Sequence, residues 1–473
     1  MPLMETARPR LLVADQVAGN IRLLSLPDGS ETGRLEGRHL AEHAGFLALP
    51  RGRVAFVDDL AGELVVLDPY GPDSGRPLVA ATVPVATPAE HLAADPSGRL
   101  LAVTTGLGRN ENAWSDLLTA VDLGGADGPR SVRVRTRTGE PGVTILPPEP
   151  GVTIPGLGIT TATPDLGVTA PSPGPGVTTA TPDPAEAGSG TSGASDASAV
   201  SGPSDASGAL VVLRHREPGS LTAYRHAGLL ASAPGCPPVT PAHELPLPDH
   251  DGHGDAVDPL TGELFAAAGS GVHRARRAGA TLVAGEPLPW AGPGRGWYLR
   301  LDPVRRMLWS CVRGGPAEPG RWPEWTNDAW WHRIDTGETG RLPLGPGLVF
   351  RLAVCARHIA YARIHPDGDE LILVTAAPGE RPRIGARLPL PAMAGAPRAG
   401  GTPWDGVQRR AVAGSPGGDL VAVTRGGHGE IHLIDASRAA LIRTLRLPTA
   451  LDDGGHLALV SPGDGAELDP VGR

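Results

Sequence analysis

The sequence predicts an all-β protein folded as a single β-propeller, with seven four-stranded blades the preferred count and eight the alternative. Three observations lead there. A strand-rich unit recurs at the spacing of about 40 to 50 residues typical of blade repeats. Each strand within it is a short β-rich run bounded by Gly, Pro, Ser or Asp, the sequence form of an antiparallel meander. Three strands at the N-terminus, LLVADQ, NIRLLSLPDG and ETGRLEG, lack a fourth, and HLALVSPG at His456 to Gly463 can supply it. Pairing of the two ends would tie the ring shut and remove the open edges of an unclosed array.

The clearest copy of the unit runs from Gly406 to Pro448: RRAVAG, then DLVAVTR after a Ser-Pro-Gly-Gly turn, EIHLIDA after a Gly-rich turn, and LIRTLRLP. Earlier copies follow the same plan. Phe46 to Val85 supplies FLALP, RVAFVDD, ELVVLDP and PLVAATVPV, and His91 opens HLAADP, RLLAVTTG and DLLTAVDL. The pattern breaks between about Glu140 and Gly208, where PGVT, TTATPD and SDAS recur in a Pro-, Gly-, Thr- and Ser-rich tract with few core-building residues. Such a composition opposes regular structure, so residues 140–208 read as a disordered insertion between a first propeller part, 1–139, and the remainder, 209–473. GALVVLRHREPG and HELPLP resume the strands; whether Leu210 to Pro248 completes the third blade or forms its own separates seven from eight.

The 473 residues, 66 glycines and 51 prolines suit a repeat architecture with many turns. The chain has no lysine, so a Walker-type phosphate loop, a Schiff-base lysine and any lysine-linked cofactor are excluded. A net charge of −9 without a basic block argues against nucleic acid as a partner. MPLMETARPRLLVADQ lacks the apolar core of a signal peptide, and no apolar run of membrane-spanning length follows. The expectation is a cytoplasmic monomer without membrane insertion, its partner a protein or small-molecule ligand. Cys236, Cys311 and Cys355 are far apart without a CxxC spacing and read as reduced structural thiols.

DPSGRLLAVTTG with LLTAVDL, and SPGGDLVAVTRG with IHLIDASRAALIRTLRLP, resemble the YVTN-type repeats of bacterial propellers, a WD-repeat-like and quinoprotein amine dehydrogenase-like group. The resemblance implies the fold and is silent on activity, because the group contains binding proteins, structural proteins and enzymes. The Trp-Asp and Gly-His pairs of WD repeats are absent. The lack of a signal peptide argues against its secreted metal carriers and periplasmic dehydrogenases.

In a blade with strands a to d, the b–c turn and the connection from d to the next a share one face of the disc. His43, His91, His253 and His456 fall on d–a connections or at the start of strand a, Trp297 holds the same place, and His428 lies in a b–c turn. HELPLPDHDGHGD crowds His243, Asp249, His250, His253 and Asp255 into thirteen residues, a donor set suited to zinc or another divalent metal but without HExxH spacing. His43, His91, His250, His253 and His456 are the candidate metal ligands. The b–c insertion RGGPAEPGRWPEWTNDAWWH carries Trp322, Trp325, Trp330 and Trp331, and Trp114 lies in another long b–c loop. Large aromatics in polar loops can serve as stacking platforms. These tryptophans, with Trp297 and Arg425, are the candidate ligand-binding residues. The preferred reading is a non-catalytic binding or scaffold propeller; the alternative is a metal-binding protein or metal-dependent enzyme with a His/Asp site at the channel mouth.

Overall fold

The computed structural model describes residues 8–71, 78–106, 116–137, 142–148, 208–216, 218–233, 238–249, 254–296, 298–377, 379–415, 417–452 and 455–461. These form eight antiparallel sheets, one per blade; seven have four strands, and the sixth has five because its innermost strand is split. Eight, the alternative count, is therefore the observed one. Arg130–Arg135 supplies strand d of blade 3. Blade 4 then consists of Gly142–Leu146, Leu210–His215, Ser220–Arg225 and His243–Pro246. The tract read as an insertion thus contributes its opening residues to the fold, and residues 149–207 lie outside the described residues.

The ring closes as the sequence implies. His456–Val460 is the innermost strand of blade 1 and pairs antiparallel with Arg10–Asp15, Val13 opposite Leu457 and Arg10 opposite Val460. Tyr70 of blade 2 donates its hydroxyl to the Val460 carbonyl at 3.0 Å, fixing the closing strand from the adjacent blade.

Alternation along each strand creates the core. Successive side chains of a strand point to opposite faces. Leu11 and Val13 pack against blade 8, while Leu12 and Ala14 pack against blade 2. Every neighbouring pair of blades is joined by such an apolar cluster, including the last with the first. A strand covered on both faces reads as a continuous apolar run. That accounts for Leu371–Val374 and Val421–Val423, all buried, whereas the outer strand Arg383–Leu390 alternates between exposed and half-buried positions. No helix among the described residues is long and apolar enough to cross a membrane.

Candidate functional site

On the face carrying the b–c turns and d–a connections, blade 6 holds a cleft with a volume of about 1110 Å³. Three segments build it: the connection from blade 5, Ala291 to Arg295; the b–c insertion that follows strand Met307–Gly314; and the upper ends of strands Thr326–Arg333 and Thr339–Pro346. Gly and Pro dominate the first two, so backbone forms much of the wall. Gly294 has φ of +97°, and a Cβ there would meet the Arg313 carbonyl oxygen at 2.6 Å. Gly315 has φ of +101° and would place a Cβ 3.1 Å from the Glu324 carbonyl oxygen. Both positions need glycine because L side chains are strained in that conformation and space is lacking.

The insertion is a folded structure. Trp322 is fully buried against Leu348, Ile364 and Met393, and its Nε1 donates to the Arg398 carbonyl at 3.1 Å. Trp325 Nε1 donates to the Pro316 carbonyl at 2.8 Å, drawing the loop back on itself. Asn327 Nδ2 reaches the carbonyl oxygens of Trp325, Gly345 and Gly347 at 3.3, 3.2 and 2.9 Å, and so ties the loop to strand d. These bonds satisfy backbone groups and preform the cleft, which removes much of the ordering cost of binding.

Arginine gives the cleft its electrostatic character. Among the described residues, Arg295, Arg313 and Arg341 line it together with one carboxylate, Asp328. Arg341 Nε donates to Asp328 at 2.9 Å and its Nη1 to the Pro293 carbonyl at 2.8 Å. The Arg313 guanidinium lies over the Trp325 ring, 4.2 Å from its centroid, with Trp404 stacked on that ring at 6.0 Å and 21°. Burial lowers the Arg313 pKa to about 10, and the neighbouring Arg295 pushes it the same way. Trp325 is only 4% exposed, so its aromatic face orients Arg313 and offers little area to a ligand.

The other predicted tryptophans fall elsewhere. Trp330 is fully buried between blades 5 and 6, edge-on to Trp290 at 5.0 Å, and donates to the Pro289 carbonyl. Trp331 packs between blades 6 and 7. Strand c begins at Thr326, so both belong to the strand and its two covered faces. Arg425 spans a b–c turn in blade 8, donating to Glu430 at 3.0 Å and to the Ala392 carbonyl at 2.7 Å. Trp114, Trp297, His250 and His253 lie outside the described residues.

Of the remaining histidines, two meet at one carboxylate. His43, on the connection from blade 1 to blade 2, has Nδ1 3.0 Å from Glu90 Oε1; His91 Nε2 is 3.8 Å from the same oxygen. A bulge at the start of strand Ala89–Ala94 sets Glu90 beside His91, both buried, and His91 Nδ1 has no hydrogen-bond partner among the described residues. Asp59 is close by, accepting from the Ala89 amide at 2.9 Å, and burial raises its pKa. His456 is buried at the first position of the closing strand. Among the described residues no group of three or more His, Cys, Asp or Glu side chains has a metal-holding arrangement.

Sequence reasoning did not pick Arg295, Arg313, Arg341, Asp328, Trp404 or Glu90. Two signals were available: AGPGRG and VRGGPAEPG place an arginine beside Gly and Pro at the edges of the two loops of one blade, and Glu90 directly precedes His91.

Comparison with known proteins supports the same architecture. The structure of apo AztD from Citrobacter koseri is similar with a TM-score of 0.56 at 10% identity, covering 96% of this chain and 99% of that one. A second Citrobacter koseri AztD structure has the same score and identity over 98% and 99%. A weaker likeness, with a TM-score of 0.44 at 10% identity, is to BamB from Moraxella catarrhalis, over 97% of this chain and 94% of that one. No protein-family model matches the chain, and no curated protein does. Likeness at this identity defines a class, the single-ring β-propellers of four-stranded blades.

Proposed function

We propose that this protein is a non-catalytic binding propeller that takes a protein or small-molecule ligand in the blade 6 cleft. The observation that carries the reading is the preformed cleft itself, in which a buried tryptophan anchor, an asparagine staple and a stacked Trp325 hold Arg313 in a concave site. Concave, pre-organised sites with a few oriented polar groups are where proteins bind ligands. An intracellular setting belongs to the same proposal: Cys311 and Cys355 are buried free thiols, each pushed up by burial to about 12, a state that suits a reducing compartment.

Crystals soaked with a fragment library test the reading. Hits should gather in the cleft and be lost there in an Arg313→Ala variant. Hits confined to the channel mouth would overturn it.

A metal or catalytic centre at that mouth is the second reading, favoured by Glu90 bringing His43 and His91 together. Elemental analysis of protein purified without a histidine tag distinguishes the two. Stoichiometric zinc, copper or iron that is lost on His91→Ala would favour the metal site.

A further inference from the structure

We propose that the ligand of the blade 6 cleft is an acidic peptide segment of a partner protein, held by its carboxylates on Arg313 and Arg295. The proposal rests on the reading of the cleft as the binding site and names the chemistry it selects. Among the described residues, three arginines against one aspartate line the cleft, on a chain whose net charge is −9. The site is therefore a local positive patch on an acidic molecule. Guanidinium groups present planar forks of N–H donors that match carboxylate geometry, and a fork laid on an aromatic ring is already oriented.

Charge is the first of three complementarities. Arg295 and Arg313 stand opposite each other in register where the split inner strand pairs with strand b, so their like charges add at one place and an anion there meets both. Size is the second. Pockets for drug-sized ligands span roughly 300 to 1,000 Å³, and this cleft, at about 1110 Å³, has room for several residues of extended chain. The third is the wall. Glycines 269, 292, 294, 314, 315 and 345 bring bare backbone to the surface, where the main chain of a peptide can approach closely. Nucleic acid fits less well, because its affinity comes from many phosphate contacts along a basic stripe, and this cleft gathers only three arginines.

The test uses the full chain and a fluorescein-labelled glutamate decapeptide, with glutamine and lysine decapeptides as counterparts, followed by fluorescence anisotropy at low salt. The glutamate peptide should bind, weaken as salt rises, and lose about tenfold or more in affinity with each of Arg313→Gln and Arg295→Gln. Arg438→Gln, at an exposed turn of blade 8 outside the cleft, should leave binding unchanged. Should Arg313→Gln misfold, Arg313→Lys and Arg295→Gln still carry the test, lysine keeping charge but losing the fork. Equal binding of all three peptides, or glutamate binding indifferent to both arginines, would overturn the proposal. Displacement of the peptide by inorganic phosphate at comparable concentration would also overturn it, marking a simple anion site. If fragments occupy the cleft and the glutamate peptide does not bind, this inference fails and the cleft reading stands. If neither binds, both fail.

Discussion

His215 should make the fold acid-sensitive between neutrality and pH 5. It sits at the end of strand b in blade 4, only 1% exposed, with Nε2 3.1 Å from Thr222 Oγ1 and no partner for Nδ1 among the described residues. Burial, then the charges of Arg137 and Arg214, lower its pKa from 6.5 to about 3. A histidine lowered in this way is neutral in the folded state, whereas the unfolded chain takes up a proton below 6.5. Its contribution to stability is therefore complete above pH 6.5 and declines as pH falls from there towards 3. At pH 5 the unfolded imidazole is almost fully protonated and the folded one is not, so one and a half pH units at ~1.36 kcal/mol each remove about 2 kcal/mol. That is a large share of the ~5 to 15 kcal/mol by which domains are stable.

Urea denaturation of wild type and His215→Gln at pH 7.5 and 5.0, followed by tryptophan fluorescence, measures the effect. Glutamine keeps a donor for Thr222 but has no proton to gain. His332, lowered to about 4, and His226 and His432, also lowered by burial, titrate in both proteins and cancel in the double difference. Wild type should lose about 2 kcal/mol more than the variant on acidification. Equal losses, or an NMR titration of His215 with a midpoint near 6.5, would refute the reasoning.

Two further outcomes follow from the architecture. A chain ending before His456 loses buried Leu457, Leu459 and Val460, at ~1.5 to 3 kcal/mol each; it should be insoluble or melt far lower, and an unchanged melting temperature would mean the ring does not depend on closure. Trp330→Ala should cost roughly 3 to 5 kcal/mol, because it empties the contact with Trp290, yet leave cleft binding per folded molecule intact, as thermal unfolding and fragment soaking would show.

The blades that could be read directly from sequence are those whose inner strands are sandwiched between neighbours. Their composition has to be continuously apolar, and Gly- or Asp-rich turns delimit them. The ambiguous count came from strands without that signature. In Arg130–Arg135, an outer strand, Val134 is the sole buried residue and three arginines mask the run. Gly142–Leu146 opens with the GVT of a PGVT copy that recurs at Pro150 and Pro175, and only its register against Leu210–Arg214 separates it from the tract that follows. Val143 and Ile145 face blade 3 and Leu146 faces blade 5, a two-sided burial that a five-residue run beside prolines hardly advertises.

The cleft was hidden for a different reason. Tryptophans concentrated in one insertion drew the reading towards aromatic stacking, but a tryptophan is as valuable for its buried area as for its exposed ring. Trp322 anchors the insertion, Trp330 and Trp331 belong to strand c, and Trp325 carries Arg313. The polar groups that result come from residues 295, 313, 328 and 341, one on each of four strands of blade 6, with no fixed spacing. Blade geometry alone brings them together, since every d–a connection lies beside the b–c turn of the blade it enters. In a propeller, glycine-flanked arginines at the strand ends that border both of those loops are therefore a more direct pointer to a site than aromatic density.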